Sequence, residues 1–301
     1  MKRLVASLFC LVTVASCSST APANSPNDTA RPSIVVTYSV LGALVSELVG
    51  DAATVSVVIP DGQDPHDFEP SAKDIETINE ATLVVSNGLD FEEGLIESLT
   101  AAEERGVAHF MVTGHLTTRE GGIHSHEEDG DSHTAGTDPH VWLSPHAMSE
   151  MIDDLARAIQ DALAIDVTAE LNAVVSNLEA LDVAVADRIK GLDSCTLVTG
   201  HDELGYFAER YGCTIVGAVI PSFSTTAEAS AGELADLESL VRDYDVPAIF
   251  TGIGTSSDVV EMLSSTLGVP AIELSTHYMS GVSTYEEFIT RLVDQIVGGL
   301  S

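Results

Sequence analysis

Positive charge is what this chain has least of: 12 lysines and arginines stand against 47 aspartates and glutamates, a formal charge of −35 over 301 residues. Such a surface repels nucleic acid phosphates and anionic membrane surfaces and concentrates cations, so nucleic acid is excluded as a partner. A solvated acidic face is enough to account for the charge, which bears on solubility and not on fold. Aromatic residues are few and tryptophan occurs once, yet a hydrophobic content of 45% is ordinary for a globular protein and the length suits two lobes. After the amino terminus no segment reaches the roughly 18 consecutive apolar residues that a bilayer span requires. Two compact signatures are missing as well. No His-Glu-x-x-His pairs histidines on a helix, and Thr251-Gly252-Ile253-Gly254-Thr255-Ser256 lacks the full glycine-rich phosphate fingerprint, so it reads as a strand-to-helix turn.

Cysteine is also rare, with four in all. Lys2 and Arg3 precede an apolar stretch from Leu4 to Val14, and the small residues Ala15 and Ser16 lead to Cys17, the pattern of an export signal. Val14-Ala15-Ser16-Cys17 resembles the bacterial lipoprotein processing site. That resemblance implies a signal peptide over 1–16, a lipid on Cys17, and a tether over 17–32 rich in Ser, Ala, Pro and Asn. The expected location is outside the cytoplasm, anchored to the outer face of the cytoplasmic membrane; an unlipidated signal peptide cut nearby is the alternative. Cys10 lies within the signal, which leaves Cys195 and Cys213 as the pair in the folded part. An exported chain meets oxidising conditions, so these two are either bridged or two separate buried thiols.

From Ser33 onward short β-branched runs alternate with helical stretches. Ser33–Val40, Val55–Ile59, Leu83–Ser86 and Val107–Val112 read as strands, with helices at Leu41–Val49, Lys73–Ala81 and Phe91–Glu104. Pro145–Leu163 and Thr168–Lys190 read as two further helices, the second long enough to run between two lobes. The alternation then resumes: strands at Cys195–Thr199, Thr214–Val219, Ala248–Thr251 and Ala271–Leu274, helices at Glu203–Tyr211, Ala227–Tyr244, Ser256–Leu267 and Thr284–Val297. The expected fold is α/β, two lobes each with a mostly parallel sheet flanked by helices. The amino-terminal lobe covers 33–165, the connecting helix 166–191 and the carboxyl-terminal lobe 192–301. Between the lobes lies a cleft, with His201 two residues beyond a strand end, where ligands of open α/β sheets sit. His115 to Thr137 is too polar and glycine-rich to bury a core and reads as a surface loop.

Ten histidines carry the chemical argument. Asp64-Pro65-His66 and Asp138-Pro139-His140 place an imidazole after a proline, which stiffens the loop, and Gly200-His201-Asp202 adds a third at a strand end. Neutral imidazole suits zinc and other late first-row metals, whereas carboxylates and water lean toward manganese, magnesium or calcium. Three such imidazoles look like a metal site, although spacing alone leaves each open to an ordinary structural role. His109, inside the apolar run Val107–Val112, reads as a satisfied strand residue, and His146 as an exposed or capping residue.

Gly62-Gln63-Asp64-Pro65-His66-Asp67-Phe68-Glu69-Pro70-Ser71, Asn87-Gly88-Leu89-Asp90-Phe91-Glu92, Asp138-Pro139-His140-Val141-Trp142-Leu143-Ser144-Pro145 and Gly200-His201-Asp202-Glu203-Leu204-Gly205-Tyr206-Phe207-Ala208 occur in that order. Together they resemble the zinc/manganese-binding solute-binding proteins of bacterial ABC importers, from about Ser33 to the carboxyl terminus. The resemblance implies two α/β lobes joined by one long helix, with metal between them. It also implies ligands at His66, His140 and His201, where histidine at the third position favours zinc over manganese. The family's fourth ligand is usually aspartate; here the segment reads Leu274-Ser275-Thr276-His277, so His277, Glu273 or water completes the set, with His277 preferred. Histidine-rich loops recur in zinc-type relatives, which makes His115, His124, His126 and His133 a secondary, weak metal-binding set. The implied partner is an ABC permease, the implied cargo Zn2+ ahead of Mn2+, and the implied state a lipid-anchored monomer without enzymatic activity. A zinc-dependent hydrolase and a surface adhesin on the same scaffold are the rival readings.

Overall fold

Short apolar runs separated by amphipathic helices pair into two parallel sheets. In the computed structural model, which describes residues 31–121 and 136–301, the first sheet holds β1 (Ser33–Val36), β2 (Thr54–Val57), β3 (Leu83–Ser86) and β4 (Ala108–Met111). The second holds β5 (Thr196–His201), β6 (Thr214–Ile220), β7 (Ile249–Thr251) and β8 (Ala271–Glu273). Their spatial orders, β2-β1-β3-β4 and β6-β5-β7-β8, are the same pattern twice, every pair parallel. Parallel strands require crossover connections, and the helices that supply them cover both sheet faces. Burial of every residue of β3 follows from that covering.

Helices α1 (Ser39–Val49), α2 (Ala72–Glu80) and α3 (Ile96–Glu104) serve the first sheet. Helices α4 (Pro145–Leu163) and α5 (Thr168–Lys190) lie between the sheets in the chain. The second half adds α6 (Gly205–Tyr211), α7 (Ala231–Asp243), α8 (Ser257–Leu267) and α9 (Tyr285–Leu300). Local chemistry sets several starts. Ser71 with Asp74, and Ser230 with Glu233, form capping boxes at α2 and α7, while Ser144 caps α4 and Pro145 occupies its first turn. Helix α4 buries Met148, Met151, Ile152, Leu155 and Ile159 along one stripe, each worth about 1.5–3 kcal/mol of transfer free energy when fully buried.

Helix α5 touches α1, α4, α6 and α9, and α9 returns to pack on α1. One apolar cluster therefore runs unbroken from Ile34 and Val85 of the first sheet, through Trp142, Leu178 and Tyr285, to Leu197 and Phe250 of the second. Tyr285 ties the halves further: its hydroxyl donates to the Trp142 carbonyl at 2.9 Å, and its backbone N–H to Glu47 at 2.9 Å.

Several boundaries differ from the sequence reading, and three of them bear on the site. The strand expected to reach Val40 stops at Val36, because Val40 and Leu41 are buried as the first turn of α1. The helix expected from Phe91 begins as a 3-10 turn at Glu93–Leu95 before α3, after a loop in which Leu89 and Asp90 adopt positive φ. His201 is the last residue of β5, not a loop residue beyond it. No helix among the described residues is long and apolar enough to cross a membrane.

Candidate metal centre

All four preferred histidines lie at or beyond the carboxyl end of a strand. His66 lies in the loop after β2, His140 in the connection after β4, His201 ends β5, and His277 stands four residues beyond β8. In parallel α/β sheets these ends are where loops converge on a ligand. The two Asp-Pro-His motifs share one turn: Asp64 Oδ1 accepts from the His66 N–H at 3.0 Å, and Asp138 Oδ1 from the His140 N–H at 3.0 Å. A short carboxylate that captures the amide two residues on is a turn-former, and the proline between stiffens it.

The four side chains meet. One nitrogen from each of His66, His140, His201 and His277 lies within 4.8 Å of the others, and all four residues are at most 3% exposed. The Nε2 atoms of His140 and His201 are 3.1 Å apart. Zinc–nitrogen bonds of about 2.0–2.1 Å place tetrahedral donors roughly 3.3–3.4 Å from one another, so the cluster closes on an ion by a small contraction. Among the described residues neither ring nitrogen of His66 has a hydrogen-bond partner, nor does Nε2 of His277, although all are buried. Buried polar atoms are rarely left so, and here they point to a cation.

Electrostatics prepares the rings as ligands. Burial, with a smaller contribution from His140, lowers the pKa of His66 to about 3. Burial first, then neighbouring His140, holds His201 and His277 well below the ordinary imidazole value. These rings are neutral at pH 7 and offer lone pairs. Asp138 fixes the His140 tautomer by accepting from Nδ1–H at 2.9 Å, which leaves Nε2 bare toward His201. Arg119 in turn pairs with Asp138 at 3.3 Å.

Phe91 and Trp142 form the apolar wall. Phe91 meets His66 edge-on at 5.0 Å and stacks beside His277 at 5.9 Å. It is held there by Glu92, whose buried carboxylate accepts from the Thr37 hydroxyl at 2.6 Å and the Asn87 N–H at 2.7 Å. Trp142 lies 5.3 Å from His140 and 5.4 Å from His277, and its indole donates to the Thr276 carbonyl at 2.7 Å.

The remaining candidates fall elsewhere. Glu273 is exposed and accepts from the Tyr278 hydroxyl at 3.2 Å, so His277 and not Glu273 stands with the cluster. His109 meets the Ser86 hydroxyl at 2.8 Å, and His146 is exposed. His115 stacks on Phe110 and pairs with Asp154 at 2.9 Å, apart from the four. His124, His126 and His133 lie outside the described residues, as do Cys17 and residues 1–30. Cys195 and Cys213 are joined by a disulfide just ahead of β5 and β6.

Sequence reasoning missed Glu203. It is wholly buried, its carboxylate oxygens 3.8 Å from Nδ1 of His201 and 3.7 Å from Nδ1 of His277, and burial pushes its pKa up to about 7. The available signal was an acid two residues after a strand-end histidine, directly before the apolar Leu204.

Two like sheets whose strand ends converge on a closed knot of imidazoles define a bilobal α/β binding protein. Residues 34–299 match the family described as ZnuA, zinc-uptake complex component A, periplasmic, and the chain belongs to that family. It is 31% identical over 278 residues to the zinc-binding lipoprotein AdcA of Streptococcus pneumoniae, 88% of this chain but 53% of AdcA, so it spans about half that relative's length. It is 30% identical over 294 residues to the high-affinity zinc uptake system protein ZnuA of Bacillus subtilis (94% of this chain, 89% of that one). The manganese-binding lipoprotein MntA of Halalkalibacterium halodurans is 27% identical over 279 residues, 89% of this chain and 88% of that one. Among solved structures, the periplasmic zinc binding protein TroA from Treponema pallidum superposes with a TM-score of 0.75 at 25% identity, covering 90% of this chain and 99% of that one.

Proposed function

We propose that the chain captures one zinc ion outside the cytoplasm through His66, His140, His201 and His277 and delivers it to an ABC permease. The observation that carries this reading is the convergence of four buried imidazoles within 4.8 Å. An all-nitrogen donor set favours zinc over manganese, which is the weaker reading despite the manganese-binding relative. Four protein ligands make a closed site of the structural type, whereas catalytic zinc keeps a position for water, so the centre holds and releases an ion and performs no reaction. Membership of the zinc-uptake family supports the transport role.

Finer features belong to the same proposal. Cys17 carries a lipid that anchors a monomer to the outer face of the membrane, a tether ends near residue 32, and the histidine-rich segment around His124, His126 and His133 gathers zinc weakly without supplying a primary ligand. Competitive titration of the metal-stripped protein tests the centre: one tight zinc equivalent is expected. His201→Ala should weaken it by more than the roughly 10–100-fold that loss of an outer partner costs, with His109→Ala unchanged. No tight equivalent, or displacement of zinc by manganese at equal concentration, would overturn the reading. Cys17→Ser should move the protein from membranes to the soluble fraction.

A further inference from the structure

Imidazole ligates a metal as a neutral ring, so a dication held by four of them has to find its counter-charge outside the ligand set. Two acids face the outer nitrogens. Asp138 serves His140 alone, at 2.9 Å, and divides its charge with Arg119. Among the described residues Glu203 has no lysine or arginine partner, and its two oxygens split between two rings, Oε1 toward His201 at 3.8 Å and Oε2 toward His277 at 3.7 Å. Thr276 stands beside the second ring, its hydroxyl 2.8 Å from His277 Nδ1, while among the described residues neither Glu203 oxygen has a hydrogen-bond partner. A hydroxyl that accepts from Nδ1–H fixes the same tautomer for His277 that Asp138 fixes for His140.

The surroundings leave the carboxylate little freedom. A Cβ added at Gly252 would sit 3.3 Å from Glu203 Oε1 and 3.1 Å from the Thr276 hydroxyl, so the glycine lets the backbone of the β7 loop close over both. A wholly buried acid enclosed in this way has no solvent to serve. From this geometry we infer that Glu203 is a positioning residue shared by His201 and His277: it orients both rings with Nδ1 protonated and Nε2 bare, and supplies the negative charge that makes the second half of the site attractive to a divalent ion. The inference rests on the four-histidine reading and adds to it the residue that sets how tightly a dication is held.

Glu203→Gln keeps the shape and removes the charge. Titrated with zinc and then with cobalt(II), it is expected to weaken both by roughly 10–100-fold. At saturation its cobalt d–d spectrum should match the parent's, because the four nitrogens stay in place, and the metal-free variant should unfold at no lower temperature than the parent. Glu203→Asp, which retains the charge on a shorter stem, should recover part of the affinity, and Glu273→Gln, at an exposed acid, should lose none. Affinity for zinc within about threefold of the parent would overturn the inference. So would a changed cobalt spectrum, which makes Glu203 a ligand, or a lowered unfolding temperature with no recovery in Glu203→Asp, which makes it scaffold. If the parent itself lacks a tight zinc equivalent, the four-histidine reading fails first.

Discussion

The same tripeptide does different work at its two positions. Both Asp-Pro-His turns aim a ring, yet Asp138 continues to the ring's own Nδ1, whereas Asp64 reaches across to the Thr225 hydroxyl at 2.6 Å. His66 is thus left with neither nitrogen satisfied, and it is the ring most dependent on an ion. That dependence has a pH signature. The depressed pKa values of His66, His201 and His277 mean that below about pH 6.5 the unfolded chain takes up protons that the folded chain refuses, so acid favours unfolding. Glu203, which takes up its proton near pH 7 in the metal-free fold and near 4.5 in the unfolded chain, opposes this loss within that window, whereas a bound dication would hold it ionised. Glu47, Asp64 and Glu92, whose pKa values are also raised, oppose the loss as well, whereas the lowered Asp154, Asp166 and Asp182 act with the rings, six groups against four. The metal-free protein should lose stability steadily from about pH 6.5 toward the value near 3 where folded His66 also protonates, measured as a falling denaturation midpoint. A midpoint that is flat or rising over this range would contradict the burial of neutral rings. The candidate histidines were legible because proline and strand ends flag them; Glu203 was not, since nothing local distinguishes a carboxylate buried against two rings from one in solvent.

At the level of elements, α4 and α5 could be bounded from the sequence to the residue, because Ser144-Pro145 starts one and apolar spacing runs through the other. Strand β5 was harder. Its residues 197–201 are all buried, so it shows no alternation, and Gly200-His201 reads as loop until a neighbouring strand is known to pair with it. The glycine is required there: a Cβ at Gly200 would lie 2.2 Å from the Thr255 hydroxyl. At the other end of β5, the Cys195–Cys213 bond closes a separation of 18 residues across α6. Closing a loop of that size restricts the unfolded chain by about 3 kcal/mol. Cys195→Ser with Cys213→Ser should therefore lower stability by about that amount in chemical denaturation, while zinc affinity stays unchanged because the bond lies at the strand's far end. A large loss of affinity would mean that the bridge sets the position of His201.

Over the whole molecule, the unbroken apolar cluster and the return of α9 onto α1 make the two halves one packed body. Sequence alone suggested a cleft between lobes; it did not reveal that the lobes share a core, since that depends on which faces of α5 and α9 are covered. Around this core lies a charge of −35, whose self-repulsion opposes compactness. Screening shortens from about 10 Å at 0.1 M salt to about 3 Å at 1 M, so sodium chloride over that range should raise the unfolding temperature of the metal-free protein. An unfolding temperature that falls with salt would show that attractive ion pairs dominate the surface.

Trp142 gives the chain an optical property that follows from its placement. It is the only indole in the sequence, fully buried, and its ring faces both His140 and His277. Emission excited selectively at tryptophan therefore comes from one point, beside the cluster, with no background from a second indole. Arrival of an ion should change its intensity in a single step that saturates at one equivalent. Capture and release then become measurable in real time by stopped-flow fluorescence of the unlabelled protein. Emission indifferent to zinc would place the ion away from these rings.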